Sequence, residues 1–194
     1  MGHAIPKIHY NVTTMIGDIS SGSDTITNIA STDGVEVGQS ISGPNIPAGA
    51  TVLSKTTLSI QMSVQATGTA AAQTIETYTK IEFDYPPVEP KGEKLAPQER
   101  RSIALSGLTQ VSIDFVEGLR DIDLRFLSQT LFDQIKTFYS TFAVYGYGFR
   151  YYDDKTLSSY LTYELRNFDF EPDKIAPKGT NYVWAVKLKV RRVL

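Results

Sequence analysis

The C-terminal end of the chain decides the fold. It reads Asn181-Tyr182-Val183-Trp184-Ala185-Val186-Lys187-Leu188-Lys189-Val190-Arg191-Arg192-Val193-Leu194. Apolar residues occupy every second position from Tyr182 to Val190, and Lys187, Lys189 and Arg191 fall between or after them. An alternation with a period of two is typical of a strand that is buried on one face only. The sequence therefore predicts a long C-terminal strand with a basic outer face.

A second strand-like run lies just upstream, over residues 160–170. A loop containing Pro172, Pro177 and Gly179 separates it from the C-terminal run. This loop is too long for a tight hairpin turn, so the two runs predict a long antiparallel ribbon closed by an irregular connection.

One amphipathic helix is predicted at about residues 129–143. Its apolar positions recur at helical spacing and are Leu131, Phe132, Ile135, Phe138, Tyr139 and Phe142. Ser128 or Thr130 can cap its N-terminus, and Gly146 and Gly148 can end it.

Three further strands are predicted between residue 103 and the helix. Their alternating apolar positions are Ile103 and Leu105, then Val111, Ile113 and Phe115, then Ile122, Leu124 and Phe126. A helix buries one stripe and a sheet buries one face, so the simplest arrangement places the helix on a mainly antiparallel sheet. The predicted fold class is therefore mainly β (α+β), an antiparallel β-sandwich or tube-like domain with one packing helix.

The N-terminal part of the chain has a different composition. Residues 14–77 are rich in Ser, Thr, Gly, Ala, Ile and Val and contain few aromatic or charged residues. Short β-branched runs separated by Gly and Pro predict a small all-β module. Residues 7–12 and 78–85, on either side of it, share the aromatic and charged style of the rest. We therefore predict one domain formed by residues 1–13 and 78–194, with residues 14–77 as an inserted module.

Length and charge exclude several classes of protein. The chain has 194 residues, no Cys and a formal net charge of -2. Such a charge gives no general attraction to nucleic acid, and no apolar run is long enough to cross a bilayer. Without a signal peptide or Cys, the chain is expected to lack a membrane anchor and to assemble in a reducing cytoplasm.

Catalytic patterns are weak, and we expect no enzyme activity, no cofactor and no metal site. The two histidines, His3 and His9, lie near the start of the chain without metal-ligand spacing. The adjacent acids Asp153 and Asp154 have the composition of a turn. The segment Gly146-Tyr147-Gly148 lacks the third glycine of a nucleotide-binding fingerprint.

The aromatic content is consistent with a buried core or with a contact surface. The chain contains 11 Tyr and 9 Phe against one Trp, and an alternating sheet can bury only about half of a local tyrosine cluster. A core with a tyrosine rim and a subunit interface rich in aromatic residues both remain open. The candidate interface residues are Tyr151, Tyr152, Tyr160 and Tyr163 and the basic Lys187, Lys189 and Arg191.

The order of motifs resembles a family of viral proteins. Arg100-Arg101-Ser102-Ile103-Ala104-Leu105-Ser106-Gly107 is followed by Gln110, a strand, one helix, Gly148-Phe149-Arg150-Tyr151-Tyr152-Asp153-Asp154 and a closing ribbon with basic residues. Over residues 78–194 this order resembles the minor tail proteins of tailed bacteriophages, and more narrowly the tube-like domain of distal tail proteins. The inserted module resembles a β-module of phage tail, fibre and capsid decoration proteins.

The resemblance implies a structural function. It implies a homo-oligomer, a hexameric ring between the tail tube and the hub proteins of the baseplate or tip, located in the virion tail and assembled in the host bacterial cytoplasm. DNA would only pass through its channel, so the channel surface should not be strongly basic. The candidate channel-facing residues are the acids Asp121, Asp123, Asp169 and Glu171.

Two alternatives remain open. The chain could be another tail component, such as a tube or terminator protein. It could instead be a host-surface adhesion module that binds glycans through the inserted β-module.

Overall fold

A computed structural model describes residues 4–87, 94–103, 109–166, 170, 172–178 and 181–193. The fold is mainly β, with antiparallel sheets and one α-helix in these ranges, as predicted. The strands are β1 (Lys7–Ile19), β2 (Thr25–Ile26), β3 (Ser40–Ser42), β4 (Val52–Lys55), β5 (Ile60–Met62), β6 (Ala70–Glu82), β7 (Lys94–Ile103), β8 (Thr109–Leu127), β9 (Phe149–Tyr152), β10 (Leu161–Leu165), β11 (Asp173–Lys178) and β12 (Asn181–Arg192). The helix, α1, spans Gln129–Thr141.

The chain divides into two compact units. The small unit is His9–Lys80, and the large unit comprises Met1–Ile8 and Ile81–Leu194. The prediction from composition placed the inserted module at residues 14–77. The two boundaries of the small unit, after Ile8 and after Lys80, both fall inside strands, because β1 and β6 continue across them.

The small unit has an aliphatic core between two sheets. One sheet has the order β3-β6-β1 and the other the order β2-β5-β4. Side chains from both pack together, among them Ile19, Ile41, Ile60 and Ile75. Small β-branched side chains fill the space between sheets well, so a sequence nearly without aromatic residues can still form a core.

The large unit is built on a sheet of order β9-β10-β12-β8-β7, with β11 also paired to β12. The predicted ribbon is confirmed, because Tyr163, Glu164 and Leu165 pair with Arg192, Arg191 and Val190. The predicted loop between its strands is only partly a loop. Residues Asp173–Lys178 form β11, including Pro177, and pair with the beginning of β12.

Helix α1 begins and ends close to the predicted residues. The Ser128 hydroxyl accepts a hydrogen bond from the Leu131 N–H at 3.3 Å and caps the first turn. After the helix comes a short 3-10 turn, Ala143–Tyr145, which ends at Gly146 with φ of 76°. Only glycine adopts this left-handed conformation without steric cost, so the predicted stop at Gly146 is confirmed.

The helix packs on the sheet through its apolar stripe. Leu131, Phe132, Ile135 and Phe138 are buried. Phe132 stacks on Trp184 of β12 at 4.1 Å between ring centroids, and the Trp184 indole Nε1 donates to the Gln129 Oε1 at 2.9 Å. These contacts determine which face of β12 is buried.

The strands predicted at residues 111–115 and 122–126 are one strand. β8 runs without interruption for 19 residues, because it changes partner near Leu119 instead of turning. Residues from Thr109 to Leu119 pair with β7, and residues from Leu119 to Leu127 pair with β12. In the described part of the chain, residues 94–103 and 109–118 therefore form a two-stranded arm beyond the sheet.

This arm is expected to be the least stable part of the large unit. A two-stranded ribbon is marginally stable alone in water, whereas residues 119–127 belong to a wider sheet covered by α1. In hydrogen–deuterium exchange of the dilute protein, amides of residues 109–118 should exchange on the order of tenfold faster than those of residues 119–127. Equal protection in both halves of β8 would show that another surface holds the arm.

Candidate functional site

One face of the sheet formed by β8, β10 and β12 carries charged side chains. Its members, called the charged face below, are Asp121, Asp123, Arg125, Glu164, Lys187, Lys189 and Arg191. The opposite face is apolar, since Val186, Leu188 and Val190 are at most 3% exposed. The two-residue period of β12 thus produces a buried face toward α1 and a charged face away from it.

Charges of opposite sign lie next to each other on this face. The Lys187 ammonium lies 3.0 Å from an Asp121 carboxylate oxygen, and Arg191 pairs with Glu164. The Arg125 guanidinium lies 3.0 Å from Asp123 on the same strand. Because these pairs are solvent-exposed, each contributes at most about 1 kcal/mol to stability. Their main consequence is a face on which the charges nearly balance.

The structure brings together residues that were predicted to have two separate functions. Lys187, Lys189 and Arg191 were predicted at a subunit interface, and Asp121 and Asp123 at a channel surface. All five lie on the charged face, where Lys187 is opposite Asp123 and Lys189 is opposite Asp121 in register. The other two predicted channel residues, Asp169 and Glu171, lie outside the described residues.

Three of the four predicted interface tyrosines are buried inside the large unit. Tyr151, Tyr152 and Tyr163 are 1%, 5% and 0% exposed, so their side chains offer no surface to another subunit and their assignment to an interface is wrong. The cause is that β9 and β10 turn these side chains inward, where the rings of Tyr151 and Tyr163 meet edge-on at 6.2 Å between centroids. Tyr160 precedes β10 and is 42% exposed.

The buried tyrosines surround Arg120 of β8. Its guanidinium lies 5.0 Å from the centre of the Tyr151 ring and pairs with the Asp153 carboxylate. Burial alone would lower the pKa of Arg120, but hydrogen bonds to Asp153 and Tyr163 outweigh it and raise that pKa. Burial also raises the pKa of the Tyr151 hydroxyl. Arg120 therefore stays charged and Tyr151 neutral, which suits a structural contact between β8, β9 and β10.

A β-bulge near the end of β8 exposes an aromatic side chain. The alternation Ile122, Leu124, Phe126 predicted three residues on one face. Ile122 and Leu124 are buried, but Phe126 is 54% exposed and Leu127 takes the next buried position. The pairing of β8 with β12 shifts there, and Phe126 has φ of 61°. An extra residue in one strand moves the side chains that follow it to the other face of the sheet. The periodicity of the sequence does not show where such a bulge occurs.

The bulge opens a groove between β8, β11 and β12. A second register shift, at Ile175 of β11, lies on the other side of β12. The groove has a volume of about 510 Å³ and is continuous with the charged face, because Asp123, Arg125 and Lys187 line it. The rest of its lining is Phe126, Asp173, Lys174, Ile175, Ala185 and Val186. We call it the bulge groove. A bulky residue such as Phe126 at positive φ costs roughly 1–3 kcal/mol, and strain of this kind concentrates at functional positions.

A second exposed aromatic site follows α1. Tyr145 and Tyr147 are 67% and 57% exposed, and their ring centroids lie 6.1 Å apart. Tyr147 also lies 5.3 Å from Phe142. We call Tyr145-Gly146-Tyr147 the aromatic turn. The pattern of its glycines predicted only a helix end, although Gly146 has a tyrosine on each side and both are exposed.

The other polar residues considered for chemistry have structural roles. His9 lies in β1, where it is buried and stacks on Tyr78 at 4.0 Å between ring centroids; His3 lies outside the described residues. The Asp154 carboxylate accepts hydrogen bonds from the Thr156 N–H and hydroxyl, as the predicted turn requires. These bonds lower the pKa of Asp154. Among the residues that the structure describes, no group of His, Asp and Glu is arranged to hold a metal ion.

No helix within the described ranges is long and apolar enough to cross a bilayer.

Comparisons with known proteins found no similarity to this chain. No protein-family model matches it, and neither does a curated protein or a solved structure.

Proposed function

We propose that this chain is a structural subunit of a bacteriophage tail, most closely a distal tail protein. In this proposal it forms a ring between the tail tube and the baseplate or tip, a hexamer as the resemblance to that family implies. The charged face lines the channel through which DNA passes. The chain is then a passive conduit located in the virion tail and assembled in the bacterial cytoplasm.

The charged face is the observation that supports this proposal. It carries three acidic and four basic side chains, mostly in ion pairs. Nonspecific DNA affinity depends on how many phosphates free Lys and Arg side chains can neutralise. A face on which three of four basic groups are already paired with carboxylates should hold DNA weakly and let it pass. Other support comes from the fold class, because one helix on an antiparallel sheet is the architecture that the resemblance implies.

Removing the acids should convert the channel surface into a DNA-binding one. The test is the double variant Asp121→Lys with Asp123→Lys, compared with the wild type for binding of a short DNA duplex at physiological salt. The variant should bind at least about tenfold more tightly, with a steeper salt dependence, because unpaired cations release counterions from DNA. Electron microscopy of both proteins should show rings with a central opening.

A matched control separates the effect of position from that of net charge. Asp33→Lys with Glu36→Lys makes the same change in charge on exposed residues of the small unit. This control should gain much less DNA affinity than the variant of the charged face. If both double variants gain the same affinity, or if no rings form, the channel assignment is wrong.

A further inference from the structure

The two sheets of the small unit meet edge to edge at two places, called seams below. At the β3–β4 seam, Ser40 pairs with Thr51, and the Val52 N–H donates to the Gln39 carbonyl at 2.9 Å. At the β1–β2 seam, the contact is made by Asp18 of β1. The sheets thereby enclose the aliphatic core of the small unit.

Asp18 uses both its backbone and its side chain at the β1–β2 seam. Its N–H donates to the Thr27 carbonyl at 2.8 Å, and the Thr27 N–H donates to its carbonyl at 3.1 Å. Its carboxylate accepts one hydrogen bond from the Ala72 N–H of β6 and another from the Asn28 side-chain amide, both at 2.7 Å. One residue therefore connects β1 to β6 and to the residues that follow β2.

Both partners of the carboxylate have left-handed backbones. Asn28 has φ of 58°, and Ala72 has φ of 51°. Asparagine tolerates this conformation, but the Cβ of alanine crowds the backbone there, so alanine adopts it rarely. Such residues persist only where the surrounding structure holds them. The Asp18 carboxylate is placed to hold both.

The β1–β2 seam is also closely packed. Gly17 precedes Asp18, and a Cβ at this glycine would lie 2.7 Å from Ile26 Cγ2 and 3.1 Å from Ile29 Cγ1. Ile26 and Ile29 are buried in the aliphatic core. Separation of β1 from β2 at Asp18 would therefore expose core side chains to water.

The hydrogen bonds to Asp18 favour its charged form. The Ala72 N–H and the Asn28 amide lower the pKa of the Asp18 carboxyl, and no charged side chain of the described residues contributes to this lowering. A carboxyl with a lowered pKa stabilises the fold fully above the ordinary aspartate pKa of about 3.9. This contribution is lost as the pH falls through the lower pKa of the folded state. Acid should therefore weaken the β1–β2 seam.

We propose that the Asp18 carboxylate is a latch that keeps the β1–β2 seam closed. Without its two hydrogen bonds, Asn28 and Ala72 lose the contacts that hold their left-handed backbones. The small unit then opens at this seam while the β3–β4 seam stays closed. The latch lies within the small unit, so it is independent of the ring assembly proposed above.

Replacing Asp18 by alanine tests the latch. In Asp18→Ala at neutral pH, the Thr27 amide should exchange its hydrogen at least about tenfold faster than in the wild type, because the seam opens more often. Exchange at the Val52 amide, in the β3–β4 seam, should change by less than about twofold. Nuclear magnetic resonance resolves the two amides, and circular dichroism verifies that the variant is folded.

Asp24→Ala is the matched control. The Asp24 carboxylate also accepts two side-chain hydrogen bonds, from the Gln61 amide at 3.0 Å and from the Thr25 hydroxyl at 2.9 Å, and its pKa is also lowered. Neither partner has a positive φ. This variant should leave exchange at Thr27 within about twofold of the wild type.

A second substitution tests the role of the left-handed backbone. Glycine adopts positive φ without steric cost, so Asp18→Ala should have a smaller effect in a chain that carries Ala72→Gly. In that chain it should accelerate exchange at Thr27 by no more than about threefold. The full tenfold effect in that chain would contradict the latch.

The pH dependence of the wild type is an independent test, and it decides the matter if Asp18→Ala does not fold. Between about pH 7 and about pH 3, protection of the Thr27 amide should fall about tenfold relative to that of the Val52 amide. In a folded Asp18→Ala this ratio should stay nearly constant. The latch is wrong if the wild-type ratio does not change with pH, if Asp24→Ala acts like Asp18→Ala, or if both seams accelerate equally.

Discussion

Replacing Phe138 by alanine should lower the free energy of unfolding of the large unit by about 3–5 kcal/mol. The Phe138 side chain is fully buried and meets the Phe149 ring edge-on at 5.1 Å between centroids. It joins α1 to β9, so truncation leaves a cavity at the contact between the helix and the sheet. Urea unfolding followed by tryptophan fluorescence measures this loss, because Trp184 is the only Trp and stacks on Phe132 of α1.

The matched control for this change is Tyr145→Ala. Tyr145 is an aromatic residue just after the same helix and is 67% exposed. At concentrations where the protein is monomeric, its truncation should change the free energy of unfolding by no more than about 0.5 kcal/mol. Equal effects of the two substitutions would mean that α1 does not pack on the sheet through Phe138.

Replacing Ile60 by alanine should destabilise the small unit by about 2–5 kcal/mol. Ile60 of β5 is fully buried in the aliphatic core between the two sheets of that unit. Hydrogen–deuterium exchange over residues 9–80 should accelerate accordingly. The urea transition of Trp184, which lies in the large unit, should stay at the wild-type position if the two units have separate cores.

Leu58→Ala is the control for the small unit. Leu58 lies two residues before the same strand and is 59% exposed, so its truncation should have an effect within about 0.5 kcal/mol. Ile60→Ala could also lower the free energy of the Trp184 urea transition by as much as it lowers the protection of residues 9–80. That result would show that the two units unfold together and that the inserted module is not independent.

The sequence alone determined the fold class, α1 and the pairing of the last two predicted strands. These features depend on local regularities, and each leaves a periodic trace along the chain. The apolar stripe from Leu131 to Phe138 has the helical period, and the alternation from Trp184 to Val190 has the period of a strand. The charged face follows from that alternation, because a strand buried on one side presents its intervening residues on the other.

Tertiary structure alone decided which aromatic residues are available for contact. Tyr151 and Tyr163 were predicted at an interface, yet they are buried, because their strands pair and their rings meet inside the large unit. Phe126 was predicted on the buried face with Leu124, yet it is exposed, because a bulge shifts the register at that point. Neighbouring strands and bulges depend on residues distant in sequence, so a local pattern carries no record of them. For the same physical reason, the bulge groove appears only when β8, β11 and β12 are assembled.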